Sequence, residues 1–164
     1  MKKNNKGFTL IELLIVIAII AILAGVVFVS LDPLTRFQDA RNSARWTDAT
    51  AILSAIKVDQ VDNGGNYLSG IDSITETGTV YAVGLGGNPA DATDCTATSS
   101  SRFVDLTELA TQGYLARIPV SPEGAGATSW DDDITGYYLI KNGNGSLTVG
   151  ACDAEGGDTI TVNR

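Results

Sequence analysis

Hydrophobic positions along this chain fall into three regimes. From Phe8 to Leu31 nearly every residue is apolar, with one charge, Glu12, and no proline. At ~1.5 Å of rise per residue this run makes a helix roughly 36 Å long, enough to cross a ~30 Å hydrocarbon core. From Leu34 the apolar positions become periodic. Ala49, Ile52, Leu53 and Ile56 have the i, i+3, i+4, i+7 spacing of a core-facing stripe, and Trp46 extends it by one turn. Asp32/Arg36 and Arg45/Asp48 are spaced to pair on the polar side. Asn63-Gly64-Gly65 is a strong helix stop.

The third regime is short and alternating. Thr79–Val83 reads as a strand. Tyr137–Lys141 and Leu147–Ala151 flank the turn Asn142-Gly-Asn-Gly145, and Thr159–Val162 reads as a last strand. Asp105-Leu-Thr-Glu108 has the form of a capping box opening a short helix that Gly113 stops. Ala90–Ser101 reads as an irregular surface loop pinned at Cys95. The expected fold is therefore α+β: a long N-terminal helix whose amphipathic second half packs on a small antiparallel sheet of three or four strands. Trp130, Tyr137 and Tyr138 are expected as core or interface aromatics.

Two positions are candidates for a break in the long helix, Gly25 and Pro33. Proline removes a backbone donor and crowds the preceding turn. Either Pro33 kinks one continuous helix, or Asp32 is a cap and Pro33 the first residue of a second helix.

The start of the chain is the most specific part. A seven-residue basic leader, MKKNNKG, precedes the apolar run, and Lys6–Glu12 reads K-G-F-T-L-I-E. This resembles the class III signal of type IV prepilins and pseudopilins. A secretory signal peptide has a shorter apolar region of about 7–15 residues, and a plain signal anchor has no need of this order of residues. The resemblance implies a lollipop-shaped pilin. Residues 1–7 are a cleaved leader, 8–31 a membrane-spanning and filament-core helix, 32–62 an amphipathic helix, and 63–164 an extracytoplasmic globular domain. It also implies that prepilin peptidase cuts after Gly7 and methylates Phe8. Glycine suits such a position because a backbone without Cβ extends into a narrow site. Glu12 corresponds to the family acid, which would pair with the α-amine of a neighbouring Phe8. The looser run Tyr114-Leu-Ala-Arg-Ile-Pro-Val-Ser-Pro122, with Gly136-Tyr-Tyr-Leu139, is similar to the C-terminal part of major pseudopilins and of many small pilins.

Charge and composition narrow the function. The formal charge is −8, and removing Lys2, Lys3 and Lys6 with the leader leaves −11, a poor match to nucleic acid. There is no histidine, no glycine-rich phosphate loop and no thiol pair at redox spacing, so no enzyme is expected. Cys95 and Cys152 are the only cysteines. An even pair in an exported acidic domain reads as a disulfide worth about 4 kcal/mol in the chain-entropy model; the other reading is two unpaired buried thiols. Lys2, Lys3 and Lys6 before the span balance Arg36, Arg41 and Arg45 after it. The cysteines and the prepilin resemblance instead put the leader inside and the C-terminal domain outside. Asp131, Asp132 and Asp133, with Glu123 upstream, form the densest acidic cluster. The resemblance to major pseudopilins suggests calcium there, while a solvated loop is the simpler reading and no other cofactor is expected.

The function expected from the resemblance is a structural subunit of a type IV pilus, serving adhesion or motility. Its partners are copies of itself, prepilin peptidase, an inner-membrane assembly platform and, before assembly, membrane lipid. The alternatives are a major pseudopilin of a secretion or DNA-uptake system and a membrane-anchored binding domain that never polymerises.

Overall fold

The computed structural model describes residues 7–86, 95, 102–124 and 129–164. The leader before Gly7, and all of the loop expected at Ala90–Ser101 except Cys95, lie outside these residues. The chain divides into two units, Met1–Phe37 and Gln38–Arg164.

In the first unit, α1 runs from Leu10 to Leu31. Its residues are mostly Ile, Leu and Val, and none is buried. By length and composition it is able to cross a membrane. Gly25 lies inside the unbroken helix, so this candidate break point is corrected. An isolated glycine costs a helix about 1 kcal/mol but keeps its hydrogen bond. The interruption falls at Asp32, with φ 38° and ψ 71°, the one non-glycine residue in the left-handed region among the described residues. Pro33 has no N–H to donate and disfavours helical geometry in the residue before it, and aspartate tolerates the left-handed region better than most. The helix then restarts. Asp32 O accepts from Arg36 N at 3.3 Å, and Asp32 Oδ2 accepts from Thr35 Oγ1 at 2.7 Å. Asp32 is thus a cap and Pro33 the first residue of α2 (Pro33–Asp62).

In the second unit, α2 buries Ala49, Ile52, Leu53 and Ile56, as the periodicity predicts. Trp46 is the exception, with 43% of its surface exposed. At 100° per residue it is rotated past the edge of the stripe, which continues towards the N-terminus through Arg45 and Asn42 instead. The helix stops where expected: Gly64 and Gly65 have positive φ, and Gly65 N donates to Gln60 O at 2.7 Å.

The remaining elements are α3 (Ser69–Asp72), β1 (Val80–Val83), β2 (Phe103–Val104), α4 (Thr107–Thr111), β3 (Tyr137–Lys141), β4 (Leu147–Ala151) and β5 (Thr161–Asn163). They form a five-stranded sheet in the order β2-β1-β3-β4-β5, antiparallel except for β1 with β2. Alternation along β3 sends Tyr137 and Leu139 into the main core with Ile52, Ile56, Leu147 and Val149. Tyr138 packs on a smaller cluster of Ala82, Cys95, Trp130 and Ile134. The α+β class is as expected, and the sheet has more strands than predicted. The capping box at Asp105 does not form. Asp105 Oδ1 accepts from Thr107 N and Oγ1, the helix cap falls at Leu106, and Glu108 accepts from Gln112 Nε2 instead.

Candidate assembly segment and the buried arginine cluster

The residues singled out at the start of the chain sit together at the beginning of α1. Gly7 and Phe8 lie outside any regular element, and Phe8 is 89% exposed. A Cβ built at Gly7 would meet nothing within 4 Å, so the folded chain itself places no demand for glycine there. Glu12 is tied to Thr9 in a full capping box. Thr9 N and Thr9 Oγ1 both donate to Glu12 Oε2 at 2.8 Å, and Glu12 N donates to Thr9 Oγ1 at 3.3 Å. The pattern Thr9-x-x-Glu12 is the textual signal for this, and sequence reasoning passed over it in favour of an intermolecular role. Both Thr9 donors go to the same carboxylate oxygen, Oε2, so this carboxylate starts the helix. Beyond Glu12, α1 presents apolar surface on every side.

In the second unit a cluster around Arg45 replaces the expected Arg45/Asp48 pair. Arg45 has no exposed surface. Its Nε donates to Ser121 Oγ at 3.0 Å, Nη1 to Asn42 Oδ1 at 3.0 Å and Glu155 Oε2 at 3.1 Å, and Nη2 to Pro122 O at 2.8 Å. Arg41 grips the same carboxylate in a two-point fork, at 2.5 and 2.6 Å. The two guanidiniums, Arg41 first, hold the Glu155 carboxyl down at a pKa of about 2. Asn42 completes the clamp, donating to Glu155 O and Asp158 Oδ2 at 2.9 Å. Asp48 turns the other way and accepts from Tyr137 Oη at 2.7 Å; burial, then this bond, raises the Tyr137 phenol. Helix α2 is thereby fastened to two loops that no local pattern pairs with it, the Pro119–Pro122 run and the 152–158 segment.

Cys95 and Cys152 form a disulfide, and Cys95 is buried. The Asp131–Asp133 stretch is a turn: Asp131 Oδ1 accepts from Asp133 N and Ile134 N at 2.9 Å, and Glu123 accepts from Ser129 Oγ. Among the described residues no three acidic, histidine or cysteine side chains converge as metal ligands, so the calcium suggestion gains no support here.

Residues 2–28 match the family model described as the prokaryotic N-terminal methylation motif. Over these residues the chain carries a prepilin-type methylation signal, and beyond them it is similar to a type IV pilin. It is 43% identical over 95 residues to the type IV wide pilus major component PilA4 of Thermus thermophilus, a match over 56% of this chain and 63% of the relative. The chain thus spans somewhat less than two thirds of the length of this pilin relative. No solved structure matches. The methylation motif covers Gly7, Phe8 and Glu12, so the segment with the most specific text is also one whose described residues are exposed.

Proposed function

We propose that this chain is a structural subunit of a type IV pilus. Prepilin peptidase removes residues 1–7 after Gly7 and methylates the new terminus at Phe8. The processed chain waits in the cytoplasmic membrane with its C-terminal domain outside, and an assembly platform then draws it into a surface filament of identical copies that serves adhesion or motility. The observation that carries this reading is α1: 22 residues with none buried, most of them within the methylation motif. Removing that much apolar surface from lipid or water demands other helices of the same kind. Within the bundle the Glu12 carboxylate takes the methylated amine of a neighbouring Phe8, because a carboxylate among apolar helices needs a cation.

The test is to shear surface fibres from producing cells, image them and analyse their N-terminal peptide by mass spectrometry. Long fibres whose subunits begin with N-methyl-Phe8 are expected. Mature protein still beginning at Met1 overturns the reading. Processed protein confined to short envelope filaments points to a pseudopilin, and processed protein that stays solitary points to an anchored binding domain.

A further inference from the structure

Two carboxylates, Asp59 and Asp62, lie in the last turn of α2, and a third, Glu108, lies in the first turn of α4. Asp59 has no exposed surface; its Oδ1 accepts from Asn63 Nδ2 at 2.8 Å, and its Oδ2 is buried with no hydrogen-bond partner among the described residues. Asp62, one turn on, accepts from Tyr114 Oη at 3.0 Å. The negative charge of Glu108 also disfavours charge on Asp59. The nearest lysine along the helix, Lys57, is occupied elsewhere, donating to Gln60 Oε1 and Tyr67 Oη. The last turn of α2 holds no basic residue, so Asp59 and Asp62 also lie at the negative end of the helix dipole.

Apart from the Asn63 hydrogen bond, which favours the carboxylate, these features disfavour a charged Asp59. A covered carboxylate oxygen without a donor is costly, two like charges add to the cost, and a neutral carboxylic acid escapes most of it. A metal ion is not the remedy, because no three ligating side chains converge among the described residues. Nor can an ammonium or guanidinium reach an oxygen that is already covered. The one cation small enough is a proton.

We propose that Asp59 is a proton-held pin: in the native second unit its Oδ2 carries a proton from solvent, and losing it as the pH rises loosens the junction of α2 with α4. Burial, then Glu108, raises the Asp59 carboxyl above the ordinary aspartate range, in keeping with this. An acid whose folded pKa lies above its unfolded one binds its proton more tightly when folded. Its stabilising effect is therefore complete at low pH and declines as the pH climbs through the unfolded and then the folded value. Glu155 has the opposite sense and acts below about pH 4.5, so the two separate by pH.

The experiment is thermal melting of the full chain in detergent between about pH 4.5 and 8, followed by circular dichroism, for the natural sequence and for Asp59→Asn. The natural chain should melt lower as the pH rises. Asp59→Asn, neutral throughout, should melt about 3 °C higher than the natural chain at pH 8 and show a flatter profile. A variant that melts lower at pH 8, or keeps the full slope, overturns the proposal. Should Asp59→Asn fail to fold, carboxyl-carbon NMR titration of the natural chain decides. An Asp59 midpoint above that of an unfolded aspartate supports the pin, and one at or below it overturns the idea.

Discussion

Arg45 shares its donors among four oxygens on three separate stretches of chain, and it does so with no contact to solvent. Truncating it leaves Glu155 to Arg41 alone and strips donors from Ser121, Asn42 and Pro122. Arg45→Ala is therefore expected to cost about 3–5 kcal/mol in denaturant unfolding, and a loss under 1 kcal/mol would show that the clamp contributes little. Glu155 predicts a pH effect of definite sign. Its folded pKa of about 2 lies below the ordinary 4.5, so its stabilisation is present above about pH 4.5 and is lost as the pH falls towards 2. Acid melting curves of Glu155→Gln should lack that part of the decline. At Glu12, the capping box within the chain and the proposed pairing with a neighbouring Phe8 are two separable roles. Glu12→Val is expected to leave the protein in the membrane but to cut fibre yield about tenfold or more, on the scale of a broken buried pair. Fibre yield equal to that of the natural chain would remove Glu12 from assembly.

Among the elements, the junction of α1 with α2 follows from two neighbouring residues. Proline at 33 withholds an N–H, and aspartate at 32 accepts the left-handed backbone that results. Pro33→Ala restores the donor and should let helix continue from Leu31 through Asp32. Amide exchange around residues 32–36 would slow in that variant; unchanged exchange would place the cause of the break elsewhere. The elements with strong periodicity or strong punctuation were legible in the text: α1, the stripe of α2, its Gly64-Gly65 stop and the β3/β4 hairpin all follow from local spacing. Strand β2 was not, because two residues hold no alternation and its parallel pairing with β1 depends on partners far along the chain. The cap of α4 was misplaced by one residue because Asp105 spends its carboxylate on Thr107. Arg45 was assigned to the wrong face for a general reason. Periodicity ranks residues by hydrophobicity, so it continued the stripe through Trp46 and could not see that distant Glu155, Ser121 and Pro122 would satisfy a guanidinium. The same blindness hid Asp59, whose burial depends on what α4 brings near it.

For the molecule as a whole, the text of the first 31 residues and the exposed apolar surface of α1 both fit the proposed filament subunit. The second unit is self-sufficient by comparison, with its own core, a sheet and a covalent link. That link joins residues 57 apart. A chain drawn out from its two ends can lengthen only outside the closed loop, and at ~3.5 Å per residue the bond withholds roughly 200 Å of reach. Single-molecule pulling should recover that length in reductant and not without it. A protein exposed to tension would then yield in its fastenings to α2 long before the segment between Cys95 and Cys152 could be paid out, so rupture under load would stop short of full extension and leave a knot of chain able to refold.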